Sequence, residues 1–152
     1  MNDGTNAGAY AALIIAVYLW VFAFIIGIAL LSYVALGLTL SRFFRKVGVE
    51  PWIAWIPFYN RWKWLEVGGH PGWIALLSLV PYGGTVSVVF LAIGNYRTGI
   101  AFGKDGSWVV LGIFLPWVWC YLLGRDIEVY QPARITAAGY PAPLAGYGAV
   151  PR

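Results

Sequence analysis

From Tyr10 to Leu40 the chain carries no charged residue. That run of about 31 residues would make roughly 46 Å of helix at 1.5 Å per residue. The hydrocarbon core of a bilayer is about 30 Å thick. The pattern predicts a first spanning helix over about 10–41, tilted or projecting beyond the bilayer. No basic segment precedes it and it is too long for a secretory signal, so it is expected to be retained. Residues 1–9 form a short polar leader. The helix ends in "SRFFRKVG", where Arg42, Arg45 and Lys46 make the strongest basic cluster of the chain. By the positive-inside rule this end is cytoplasmic and the N-terminus is outside.

The next segment, "WIAWIPFYNRWKWLEV", is aromatic but charged at Arg61, Lys63 and Glu66. Charges are costly at the bilayer centre. With Pro57 at its start and Gly68-Gly69 at its stop, it predicts an interfacial amphipathic helix over 57–67. Phe58, Trp62 and Leu65 would share one face, and Trp52, Trp55, Trp62 and Trp64 would sit at headgroup level.

Trp73 to Phe102 is a second apolar run, interrupted by "PYGG". It threads either as one span kinked at Pro81, Gly83 and Gly84 or as a re-entrant hairpin turning at Gly83-Gly84. One span places Arg42, Arg45, Lys46, Arg61, Lys63, Arg125, Arg134 and Arg152 inside, with Arg97 and Lys104 outside: eight against two. The hairpin gives seven against three, with arms too short to cross. The charge rule therefore favours a single span over about 73–102. Residues 107–123 would return as a third span, near the lower length limit and containing Pro116. The expected fold is an all-α membrane protein with three transmembrane helices, a membrane domain over 10–124 and the interfacial helix between spans one and two. The tail, 125–152, is rich in Ala, Pro and Gly without helical period, and alone should be disordered or locally extended.

Three places repeat one order: a glycine, a tryptophan four or five residues on, then an apolar stretch ending in proline. They are Gly48–Trp52–Pro57, Gly69–Trp73–Pro81 and Gly103–Trp108–Pro116. The glycine stops the preceding element, and Trp73 and Trp108 join the interface anchors. The echo is an anchoring pattern, explained either by recurrent membrane insertion, the favoured reading, or by repeat ancestry.

Composition supports the membrane assignment: 61% of the 152 residues are hydrophobic and 11% charged. A soluble domain carries about 25% charge. The net charge of +4 sits between apolar segments, where it sets orientation; no nucleic-acid partner is implied. The one cysteine, Cys120, excludes a disulfide framework. No acid lies within a predicted span, which argues against proton-coupled transport. There is no Gly-x-Ser-x-Gly elbow, no Ser-x-x-Lys pair and no phosphate-binding glycine loop. No metal site or cofactor is expected. His70, the one histidine, is a weak axial-ligand candidate for a pigment or haem, set against a solvated loop residue. Packing signals remain: Ala23/Gly27 and Gly99/Gly103 are small-xxx-small pairs for helix packing. Thr85, Ser87 and Asn95 are the polar residues that a pore could use.

"FFRKVGVEPWIAWIPFYNRWKWLEVGGHPGWIALLSLVP", followed by "AFGK" and "VLGIFLPWVWCYLLG", resembles DUF5684, a bacterial family of small membrane proteins of unknown function. The resemblance covers roughly residues 40–124. It implies a protein of the bacterial cytoplasmic membrane, read as multi-pass from the three spans, and supplies no catalytic residues. Some relatives sit beside signal-peptidase domains, whose catalytic apparatus this chain lacks. The expected function is a non-enzymatic structural or accessory subunit of a larger membrane complex, partnered by lipid and by other subunits or itself. The alternative is a homo-oligomeric channel or carrier for a small neutral or lipid-like solute.

Overall fold

The computed structural model describes residues 3–149, with side chains from residue 6. The two N-terminal and three C-terminal residues lie outside the described residues. These include the start of the expected leader and Arg152 of the charge count. All regular structure among the described residues is helical. The chain divides into two compact units, one ending at Ala35 and one beginning at Leu36.

Helix α1, Asp3–Val47, runs for 45 residues, roughly 67 Å. It exceeds the expected first span at both ends. In the first unit every residue from Asn6 to Val34 is exposed. Trp20 stacks on Phe24 one turn along, with ring centroids 5.6 Å apart. Among the described residues this is the one helix long and apolar enough to cross a membrane.

In the second unit the last turns of α1 bury Leu40, Phe43, Phe44 and Val47. These positions, spaced three and four apart, form one helical stripe. Phe43 is the hub of the core. Its ring lies 5.3 Å from Trp119, 6.1 Å from Phe44, 6.2 Å from Phe102 and 6.4 Å from Trp64. A short 3₁₀ segment, Pro51–Trp55, leads to α2, Tyr59–Val67. The Gly68-Gly69 stop falls where the sequence puts it: Gly68 caps α2, and Gly69 takes the left-handed φ of +76°.

The segment after Gly69 departs from the expected span. Gly72–Leu79 is a 3₁₀ helix and α3 runs from Gly83 to Ala101. A continuous helix would separate residues 70 and 90 by about 30 Å. Instead the His70 and Phe90 rings are 5.2 Å apart, so the two segments form a hairpin. A Cβ on Gly83 would lie 2.1 Å from the Leu77 carbonyl oxygen, so only glycine admits the close return. A Cβ on Gly68 would meet the Gly94 Cα at 2.4 Å, so backbone packs on backbone where the arms part. The single span kinked at Pro81 is therefore replaced by a reversal. Gly84 contributes no close contact.

Residues 107–123 also fold back. They divide into α4, Trp108–Phe114, and α5, Pro116–Leu123, with Leu115 at φ −133° and ψ 62° between them. Lys104 Nζ lies 4.8 Å from the Trp108 ring centroid and 2.8 Å from the Glu128 carboxylate. The start of α4 and the turn after α5 thus lie beside each other. A straight helix through 108–123 would hold them about 24 Å apart. The three-span threading puts Lys104 outside and Glu128 inside; their ion pair does not support it, and one helix among the described residues is a candidate span. Neither arm is long enough to cross: seven and eight residues give about 10 and 12 Å.

The tail is held by its own chain. It contains α6, Ala133–Ala137, with Ile135 buried. The Gln131 N–H donates to the Ala101 carbonyl (2.9 Å), Leu144 N–H to Glu66 (2.7 Å) and Tyr147 N–H to Val47 (2.7 Å). The tail thereby straps together the ends of α1, α2 and α3. Composition alone hid this, because the strap relies on other elements for its hydrogen bonds.

Candidate functional site

Each proline of the echo sits at a change of chain direction. The best-formed is Val80-Pro81-Tyr82-Gly83. The Gly83 N–H donates to the Val80 carbonyl at 2.9 Å, and Tyr82 has a φ of +63°. This is a type II turn with proline first and a left-handed residue second, a position glycine normally fills. Phe58 after Pro57 has the same φ, +63°. A bulky residue held there costs about 1–3 kcal/mol and points to a functional constraint. Tyr82 is 93% exposed and Phe114, beside the α4–α5 reversal, is 75% exposed. Leu79, Val80, Ile113 and Trp117 are exposed around them. The hairpin tips are thus apolar, and proline offers no N–H to be left unpaired there.

The opposite end is polar. The Ala101 end of α3 joins the tail and Lys104 joins Glu128, as described. Lys46 Nζ donates to the Arg125 and Glu128 carbonyls, the latter at 2.6 Å. Arg97, expected near an outer end, instead donates to the Gly68 carbonyl at 3.4 Å and lies 5.6 Å from the Tyr140 ring centroid.

Between tip and base runs a buried polar seam. Asn95 is 1% exposed. Its side-chain oxygen accepts from Trp64 Nε1 at 2.8 Å and its amide nitrogen donates to the Gly112 carbonyl at 3.3 Å. One amide so joins α2, α3 and α4. Glu66 is equally buried, accepting from Trp62 Nε1 at 3.0 Å and Lys63 Nζ at 2.8 Å. His70 is buried beside Phe90 and Gly94. Burial and the neighbouring Arg97 guanidinium lower its pKa from 6.5 to about 4, keeping the imidazole neutral near pH 7. No group of three or more His, Cys, Asp or Glu able to hold a metal ion occurs among the described residues.

The sequence-derived site residues separate on this frame. Trp52 and Trp73 are exposed and can anchor at an interface; Trp55 is partly so. Trp64 is 5% exposed and stacks on Trp119 at 6.0 Å: it is core, not anchor. Trp62 and Trp108 are half-buried against the core. The predicted face of Phe58, Trp62 and Leu65 is not formed, since Phe58 precedes α2 and is exposed while Leu65 is fully buried. Four successive residues of α2, Trp64–Val67, are buried, so that helix is wedged into the unit and does not lie along a surface. Nothing lies within 4 Å of a Cβ on Gly27, the partner of Ala23 in the expected packing pair. Gly99 meets only the Lys104 Cβ, at 4.0 Å, and Gly103 adopts a φ of +69° beside Arg134; neither packs helix on helix. Ser87 and Asn95 are buried while Thr85 is exposed, so these three share no lining. The central role of Asn95 had one sequence signal: an amide in an apolar helix needs partners. Which partners only the reversals reveal.

These features define an all-helical protein in which one long apolar helix leads into a unit of short helical hairpins. The chain belongs to DUF5684, a family of unknown function, whose sequence profile matches residues 52–132. The matched region covers the hairpins and the start of the tail strap. No curated protein and no solved structure matches the chain.

Asn95→Leu, nearly equal in volume, leaves Trp64 Nε1 and the Gly112 carbonyl unpaired; it should lower stability by roughly 2–4 kcal/mol in denaturant titration. For His70 the folded pKa lies below the unfolded one, so the unfolded chain binds the proton first as pH falls. Stability is full above about pH 6.5 and declines toward pH 4. In a melting-temperature series across that window, His70→Gln should flatten the decline.

Proposed function

We propose that this chain is a non-enzymatic integral membrane protein of the bacterial cytoplasmic membrane. In this reading α1 crosses once, with its N-terminus outside. The second unit stands at the cytoplasmic face with its hairpin tips in the adjoining leaflet. The observation that carries the reading is the polarity of that unit: strained, exposed aromatic tips at one end, and Lys46, Arg97, Lys104 and Arg125 gathered at the other. The 3₁₀ arm, Gly72–Leu79, has eight residues. At 2.0 Å per residue it reaches about 16 Å, close to one leaflet of a 30 Å core. Helical arms satisfy their own backbone groups, as lipid requires. Arg97 and Lys104 now join the cytoplasmic basic residues, so the positive-inside rule is met more fully than by three spans.

Within that setting we assign the chain an accessory role in a larger membrane assembly. The wholly exposed Asn6–Val34 surface, with open space at Gly27, supports this. The channel or carrier reading gains no such support, because Thr85, Ser87 and Asn95 face different surroundings.

Spin labels at positions 82 and 114, in a Cys120→Ala background in nanodiscs, should be relaxed strongly by oxygen and weakly by a water-soluble nickel chelate. The reverse order at both positions would place the tips in water and end the leaflet reading. Gentle detergent extraction should separately recover a stoichiometric partner; a monodisperse monomer would remove the accessory role alone.

A further inference from the structure

Where α1 ends, an open cavity of about 710 Å³ is lined by Arg42, Arg45, Lys46, Arg125, Tyr121 and Ile127, with Gly124 and Asp126 completing its wall. Arg42 and Arg45 stand one turn apart on α1, and Arg125 faces them from the turn after α5. That turn is fixed. Lys46 Nζ is occupied by the Arg125 and Glu128 carbonyls, and the Gly124 backbone lies against Phe43 N and Arg42 Cβ, as close as 3.2 and 3.3 Å to an added Cβ. The three guanidinium groups make no ion pair among the described residues. Asp126 is the one acid of the wall, against Arg42, Arg45, Lys46 and Arg125, and it makes no ion pair with them among the described residues. Three exposed cations lining one cavity raise its positive potential, which favours an anion there. The planar forks of arginine match the oxygens of a phosphate.

The surroundings narrow the class of anion. Tyr121 is 48% exposed, Ile127 69% and Leu38 55%. Leu38 lines a second, neighbouring cavity of about 350 Å³, which shares Arg42 and Arg45 and adds Trp52 and Trp55. Apolar and aromatic side chains thus border the guanidinium groups on both sides. A free phosphate has no use for them, whereas a lipid needs both. We propose that this cavity binds the phosphodiester headgroup of an anionic phospholipid, with the acyl chains lying along the apolar border. The site rests on the reading of α1 as a membrane helix. It does not depend on how deep the hairpin tips reach.

The full chain, purified in a neutral maltoside detergent, is titrated with dioctanoyl phosphatidylglycerol and followed by native mass spectrometry. Wild type should bind one tightly held lipid. Arg42→Gln/Arg45→Gln/Arg125→Gln should lose on the order of 100-fold in affinity, and Arg125→Gln alone about fivefold, at about one kcal/mol per cation. Arg61→Gln, a charge-matched control away from the cavity, should bind as wild type. Dioctanoyl phosphatidylcholine should bind at least tenfold more weakly. Equal binding of phosphatidylglycerol by wild type and both cavity variants overturns the site. Equal binding of the two lipids overturns the preference for an anionic headgroup. Displacement of the lipid by inorganic phosphate at matched concentration makes it a free-phosphate site and overturns the lipid assignment. If the triple variant does not fold, Arg125→Gln decides.

Discussion

Three prolines, each closing an apolar stretch that opens on a tryptophan, set the shape of the second unit. Proline cannot continue a hydrogen-bonded helix without loss, and here the chain turns at Pro57, Pro81 and Pro116. Everything else follows from the returns. They bring His70 to Phe90, Trp119 to Phe43 and Lys104 to Glu128. They create the aromatic core and gather the cations at one end. They also leave aromatic residues exposed at the tips. The Lys104–Glu128 pair is largely withdrawn from water, with side chains 20% and 15% exposed, and desolvation offsets its attraction. Its weight is geometric, because it fixes which ends of the hairpins meet.

The polar seam explains how so short a set of arms holds together. Helices of seven to nine residues are not stable alone. Packing around Phe43 and the three-way bond of Asn95 supply what local propensity cannot. A buried amide with both ends engaged also fixes the register of α2, α3 and α4, since sliding one of them would strand a donor or an acceptor. The tail adds a second constraint from outside, donating its backbone N–H groups to α1, α2 and α3.

Much of this was legible in the chain, and the rest was hidden for identifiable reasons. The uncharged run 10–40, the Gly68-Gly69 stop and the places where proline breaks each stretch all read directly. The sense of the breaks did not. A Pro-Tyr pair is a poor announcement of a type II turn, because Tyr82 occupies a position that glycine would advertise. The charge rule favours a single span because it weighs one reversal at a time. A single hairpin at 83–84 sends the following segment across the membrane and strands basic residues outside. Two reversals together bring Arg97 and Lys104 back to the side of Lys46. Tryptophan is common at headgroups, so its type alone points Trp64 to the interface; only the fold shows it enclosed between Asn95 and Trp119. The tail looked structureless because its partners are far away in sequence.

The central claim is that the loop after α3 returns to the side of the membrane on which α1 ends. Its most direct test is labelling of single cysteines at Asp105 and Asp126, both exposed, in a Cys120→Ala background with a membrane-impermeant maleimide. The proposed membrane reading predicts that neither position reacts in intact spheroplasts and that both react in inside-out vesicles. Labelling of position 105 from outside, with position 126 still protected, would mean that the chain crosses between them and would contradict the account.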